Sequence, residues 1–155
     1  MKPIKTILYP TDFSRSSEYA FGLACSIARD HGARLLVLHV VPKFSPVAGP
    51  SDKAALQKAE HTEQDLKTYQ REMEKKLHHL QPQGGKVDVE HLLKEGEPGA
   101  AILQALHEKP CDLIVMGTHG KTEQERKLLG SVAEEVMLKA SCPVLVVKTP
   151  HGSQH

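Results

Sequence analysis

The chain has 155 residues, enough for one domain with a substantial core, and its 39% hydrophobic and 25% charged content is that of an ordinary globular protein. Twenty basic against nineteen acidic residues leave a formal charge of +1, which argues against a nucleic-acid surface built on excess Lys and Arg. No apolar run approaches the roughly 18–20 residues that cross a bilayer, so no membrane insertion is expected, and the lead-in Met1–Lys5 reads as the approach to a strand rather than a signal peptide, consistent with a cytoplasmic protein.

Lys5 to Pro10 is a short apolar run closed by proline, a buried strand. Ser14, Ser16 and Ser17 then offer capping hydroxyls, with Glu18 in the first turn of a helix. Ala20, Leu23, Ala24, Ile27 and Ala28 recur at helical spacing as its apolar stripe, and Gly32 supplies the stop. Arg34 to Val41 is a second strand, apolar on both faces through Leu35–Leu38, the mark of a parallel sheet covered on both sides. Pro42 to Pro50 forms a loop. A long polar helix follows from after Ser51 to about Leu80, with Leu66, Tyr69, Met73, Leu77 and Leu80 as its buried stripe. Glu63 with Lys67 and Glu72 with Lys76 support its wet face at i,i+4.

Gly84-Gly85 ends that helix, and Lys86 to Leu93 alternates as suits an edge strand. Gly96 to Gly99 opens a short helix, with Pro98 in its first turn and Pro110 closing it. Asp112 to Met116 is the fourth strand. Leu129, Val132, Val136, Met137 and Ala140 mark a last helix, and Pro143 to Lys148 a fifth strand. The expected organisation is one domain over residues 1–150 with a disordered tail, 151–155. Alternating strands and helices with right-handed crossovers predict an α/β fold: an open, parallel, five-stranded sheet in the order 3-2-1-4-5 with helices on both faces, Rossmann-like. A crevice then lies between the first and fourth strands at their carboxyl ends.

Two segments meet in that crevice. One is Pro10-Thr11-Asp12; the other runs from Gly117-Thr118-His119-Gly120 across nine residues to Gly130-Ser131. The glycines allow a tight turn after the strand, and Gly130-Ser131 begins a helix whose amide groups and dipole attract anions. Lys121, Arg126 and Lys127 put positive charge in a long polar insert that reads as a flexible flap over a ligand. Gly120-Lys121-Thr122 ends like a Walker loop, but the earlier glycine would fall at Val115, and no GxGxxG follows the first strand. A turn that merely caps a helix is the competing reading; the glycines and Ser131 together favour a nucleotide.

Three blocks of residues now resemble a known family. Ile7 to Ser14, Leu38 to Val41, and Gly117 to Ser131 with Cys142 to Val147 are together similar to the universal stress proteins of the UspA family, over about Lys5 to Lys148. The glycine spacing resembles that of the family's ATP-binding branch. The resemblance implies an adenine nucleotide alpha hydrolase-like fold and a homodimer with one ATP per subunit, Mg or Mn being an optional companion. It implies Asp12 beside the ribose and the metal–phosphate region with Pro10 nearby, and Val40 presenting backbone to the adenine edge. It places Gly117, Thr118, His119, Gly120 and Lys121 around ribose and phosphates, and Gly130, Ser131 and Val132 on phosphate. It also implies pairing of subunits through the last strand, Pro143 to Val147, whose apolar edge would otherwise be covered by its own helix. The charged flap departs from glycine-rich relatives.

Cys25, Cys111 and Cys142 are odd in number and lack CxxC spacing, so they read as reduced thiols rather than a disulfide or metal set. The ten histidines show no ligand spacing, so no metal centre is expected, and His119 either contacts phosphate or shapes its turn. No nucleophile with a base partner and no group to position an attacking water is visible, so no catalytic residue is assigned. Three functions stay open on sequence: an ATP-dependent regulatory, stress-response homodimer, which is preferred; a slow Mg-dependent ATPase or phosphotransferase; and a partner-binding module with a vestigial nucleotide site.

Overall fold

A computed structural model describes residues 2–43, 53–119 and 129–150. The elements run β1 (Thr6–Pro10), α1 (Arg15–His31), β2 (Arg34–Val41), α2 (Lys53–His78), β3 (Asp88–Glu95), α3 (Pro98–Glu108), β4 (Leu113–Gly117), α4 (Ser131–Lys139) and β5 (Val144–Val147). All strand pairings are parallel, and the five-stranded sheet has the expected order β3-β2-β1-β4-β5. The start of the long helix at Ser51, most of the loop before it, the flap and the tail lie outside the described residues.

Both faces of the sheet are buried, which is why the central strands lack alternation. One face places Ile7, Tyr9, Leu35 and Val37 under Ala20, Ala24 and Ala28 of α1 and Leu77 of α2. The other sets Leu8, Leu36, Leu38, Ile114 and Met116 against Ile102, Ala105 and Leu106 of α3 and Ala133 and Val136 of α4. Each fully buried Ile, Leu or Val in these layers contributes about 1.5–3 kcal/mol of hydrophobic free energy.

Local signals set the helix ends. The Ser14 hydroxyl caps α1 by accepting the Ser17 amide, and Gly32 ends it in the left-handed conformation at φ 61°. Pro98 occupies the first turn of α3, where its missing N–H has no intrahelical partner to lose.

Four expectations need correction. The third strand starts at Asp88 and continues to Glu95, because it pairs with β2 along its whole length, Arg34 with Asp88 through Val41 with Glu95. Leu23 is 39% exposed, because α1 rests on the sheet through its alanine line and Leu23 lies off that line. Tyr69 is 40% exposed, because α2 packs on the sheet through Leu77 and Met73 while Tyr69 faces the cavity described below. Met137 is half exposed, because α4 seats itself on the sheet through Ala133 and Val136.

The two sheet edges differ. On β3, Glu90 pairs with Lys109, Lys94 with Glu108, and Asp88 with Arg34 of the neighbouring strand. The Lys109 and Lys94 hydrogen bonds hold the Glu90 and Glu108 carboxyls below the usual carboxylate range. On β5 the edge is Val144-Leu145-Val146-Val147, with Leu145 exposed and Met137 and Leu138 exposed on the preceding helix.

Candidate functional site

The site begins as a gap between two strands. β1 follows β2 as far as Pro10 opposite Leu38, and β4 follows β5 as far as Gly117 opposite Val147. Between β1 and β4, however, the ladder consists of Ile7 with Leu113 and Leu8 with Ile114. Beyond it the chains leave for opposite sides of the sheet, β1 into α1 and β4 towards α4. A reversal of direction across a parallel sheet creates such an opening at the carboxyl ends of the strands.

A cavity of about 410 Å³ occupies this opening. Pro10, Asp12, Val40, Gly117, Thr118, His119, Gly130, Ser131 and Val132, the described residues singled out from sequence, all line it. Gly120 and Lys121 lie outside the described residues. Thr11, part of the segment expected in the crevice, lines it too, as do Phe13, His39, Tyr69, Met73, Pro98 and Ile102, which were not singled out. For Phe13 and His39 the signal was adjacency to Asp12 and Val40. Tyr69 and Met73 carried none, since a stripe at helical spacing reads as core wherever the helix outruns the sheet.

The β1 arm is held rigidly. Pro10, which lacks an N–H, ends the strand, and the ladder resumes with the Thr11 amide donating to the Leu38 carbonyl at 2.8 Å. Phe13 follows at φ 62°, a left-handed conformation costly for a bulky side chain. Several contacts fix it. Its amide donates to Thr11 Oγ1 at 3.0 Å, its ring lies 4.6 Å from the His39 ring, and Lys76 Nζ sits 4.8 Å from its centroid. The turn lets Asp12 Oδ1 accept the Ser14 amide at 3.0 Å, which orients the carboxylate at the cavity wall.

Beneath Asp12 lies a buried hydroxyl network. Thr11 Oγ1 is 3.0 Å from Ser17 Oγ, Ser14 Oγ is 3.3 Å from it, and the Tyr9 phenol donates to the Ser17 carbonyl. Burial pushes the Tyr9 phenol up to about 12, against the opposing effect of the Thr11 and Ser17 hydrogen bonds, so it remains a neutral donor. The Nδ1–H of His39 donates to the Thr11 carbonyl at 2.7 Å, tying β2 to the same turn.

The β4 arm crosses to the opposite wall. A Cβ at Gly117 would meet the Ser16 hydroxyl and lie 2.8 Å from the Ser16 carbonyl carbon and oxygen, so only glycine lets the strand end pass α1. Ser16 Oγ accepts the Thr118 amide at 2.9 Å and the His119 amide at 3.4 Å. His119 Nδ1 lies 3.0 Å from Thr118 Oγ1, so its ring is part of the turn and also lines the cavity. The Thr118 carbonyl accepts the Gly130 amide at 2.6 Å. Gly130 then opens α4 with an extended backbone (φ −70°, ψ 161°) and no side-chain cap.

This geometry suits a molecule with an apolar portion and an anionic portion. Val40, Ile102, Met73 and Tyr69 give the cavity an apolar side, and α4 directs its N-terminus at the other. Among the described residues no group of three His, Cys, Asp or Glu converges as a metal site. A divalent ion here would take Asp12 from the protein and complete its oxygen shell with phosphate and water. No helix among the described residues is long and apolar enough to cross a membrane. Cys25 and Cys111 are buried free thiols and Cys142 is half-buried.

A doubly covered parallel α/β sheet with a crevice at its switch point defines a broad class of proteins, many of which bind small molecules there. The comparisons narrow it. The universal stress protein family model matches residues 3–148, and the chain belongs to that family. It is 42% identical over 146 residues to universal stress protein MJ0531 of Methanocaldococcus jannaschii, covering 94% of this chain and 83% of that one. Among solved structures it is similar to the protein MJ0577 of the same organism, with a TM-score of 0.73 and 28% identity over 97% of this chain and 99% of that one. A universal stress protein in complex with cAMP aligns with a TM-score of 0.60 and 26% identity, covering 96% of this chain and all of that one (100%).

Proposed function

We propose that this chain is an ATP-binding regulatory protein of its family, working as a homodimer whose nucleotide state controls a partner. The observation that carries the reading is the convergence of Asp12, Val40, Gly117–His119 and Gly130–Val132 on one cavity at the sheet's switch point. The complex of a relative with cAMP supports an adenine nucleotide as the ligand class.

In this reading the adenine rests on the apolar side with its edge against the backbone at Val40. Asp12 accepts a ribose hydroxyl or shares a Mg or Mn ion with the phosphates. Thr118, His119, Gly120 and Lys121 surround ribose and phosphates, and Gly130, Ser131 and Val132 bind phosphate at the start of α4, where each charge–dipole contact contributes about 0.3–1 kcal/mol. The group's chemistry when bound is that of a charged, exchangeable signal. The chain's residues supply binding and orientation.

Dimerisation through Val144–Val147 is supported by the contrast between edges. β3 carries ion pairs that discourage strand addition, whereas β5 presents an apolar edge with Leu145, Met137 and Leu138 exposed beside it. Native mass spectrometry of the purified protein tests both parts. A dimer carrying one nucleotide per subunit is the expected result, and a monomer that takes up no nucleotide on incubation with ATP and Mg would refute the reading.

A further inference from the structure

We propose that Ser16 is a positioning residue that sets the spacing between the two arms of the cavity, an inference that rests on the nucleotide-binding reading. Ser16 lies in the first turn of α1, immediately beyond the arm that carries Asp12. Its hydroxyl does not cap α1; Ser14 does that. Instead its oxygen receives the Thr118 amide at 2.9 Å and the His119 amide at 3.4 Å, across more than a hundred residues of chain (|i−j| 102 and 103).

Thr118 passes the constraint on. Its N–H is held by α1 through Ser16, and its carbonyl holds the Gly130 amide at 2.6 Å, at the entry to α4. One residue therefore links the N-termini of the two helices that flank the crevice. Gly117 makes the link possible, since a Cβ there would displace the Ser16 backbone, and Ser14 Oγ adds a longer contact to the His119 carbonyl at 3.4 Å.

The link also divides the labour of the loop. With the Thr118 amide held by Ser16 at 2.9 Å and the His119 amide at 3.4 Å, the larger share of phosphate binding falls, on this proposal, to the backbone at the start of α4. Removing the Ser16 oxygen frees both amides and lets α4 drift relative to Asp12. Phosphate-bearing ligands then lose affinity, while a ligand lacking phosphate, held by the Val40 and Asp12 side, does not.

The test compares ATP and adenosine binding by calorimetry in the wild type, Ser16→Ala and Ser16→Thr, with amide exchange at Thr118 followed by NMR. Ser16→Ala should weaken ATP about tenfold and adenosine less than about twofold, as expected for loss of one ordering hydrogen-bond set. Ser16→Thr, which retains the oxygen, should recover most of the ATP affinity. Equal loss of both ligands, or unchanged ATP affinity in Ser16→Ala, overturns the proposal. If the wild type binds no ATP, the nucleotide reading fails, and the Thr118 amide still reports on Ser16 separately. That amide should be protected in the wild type, and exchange at the rate of an open loop contradicts the clamp whether or not Ser16→Ala folds.

Discussion

The two ends of the β1–β4 seam are built from the same pair of strands and behave oppositely. At the amino end the seam is sewn shut: Asp112 Oδ2 accepts the Lys5 and Thr6 amides at 3.0 and 3.1 Å, and the Asp112 amide donates to the Thr6 carbonyl at 2.8 Å. At the carboxyl end the ladder stops at Leu8 and Ile114, and the strands continue on separate courses to Pro10 and Gly117. A carboxylate spent on main-chain amides closes one end. At the other, the Asp12 carboxylate stands at a cavity wall, and glycines bring backbone close to whatever enters. The difference separates residues that hold the sheet together from residues that line the cavity.

The largest effect expected from breaking this contrast is at Gly130. Its φ of −70° is accessible to any residue, while Val is a poorer N-cap than Gly, so Gly130→Val should still fold with a loss of about 1 kcal/mol. A β-branched side chain at the entry to α4 should nonetheless weaken ATP at least a hundredfold, or ~2.7 kcal/mol, in a direct titration. Gly117→Ala comes next. Its Cβ meets the backbone of Ser16, so urea unfolding should reveal a loss of about 1–3 kcal/mol together with weakened ATP binding. Asp112→Ala should cost a comparable or smaller amount, about 1–2 kcal/mol in the same assay, and leave ATP affinity unchanged because it touches only the closed end. If Asp112→Ala weakened ATP as much as Gly117→Ala, the two ends would not be functionally distinct.

The smallest effect concerns the thiols at the amino ends of the last strands. Burial, with Cys142 and Asp112 nearby, pushes the Cys111 thiol up to about 12, and burial raises Cys142 as well. The thiolate is the reactive form, so raising the pKa removes it at neutral pH and restores it only as pH climbs well above the ordinary thiol range. Maleimide labelling followed by mass should therefore be slow at pH 7 in the folded protein, Cys142 before Cys111, and fast after unfolding. Added ATP should not alter it, because these thiols lie at the closed end.

Much of this was legible from residues in order. The non-alternating run Leu35–Leu38 reported a sheet buried on both faces, and the turn signals at Gly32, Pro98 and Pro110 divided the chain correctly. The crevice followed from strand order, Asp12 and the Gly117 segment from their places at strand ends, and Val40 from the family resemblance. Ser16 was not legible in its actual role. As one of three serines ahead of a helix it reads as a cap, and its partners at Thr118 and His119 are distant in sequence. The positive φ of Phe13 was not legible either, since besides the neighbouring Thr11 hydroxyl the contacts that hold it come from His39 on β2 and Lys76 on α2. Tyr69 and Leu23 match a helical stripe in chemistry and spacing, and their exposure depends on where a helix meets the sheet, which periodicity alone does not specify.

The central claim is that the open end of the seam holds a nucleotide, and thermal unfolding with and without ATP and Mg tests it most directly. At a ligand concentration a hundred times Kd the wild type should gain about 2.7 kcal/mol of stability and melt higher, while Gly130→Val should not shift. An unchanged wild-type melting temperature at millimolar ATP would contradict the account.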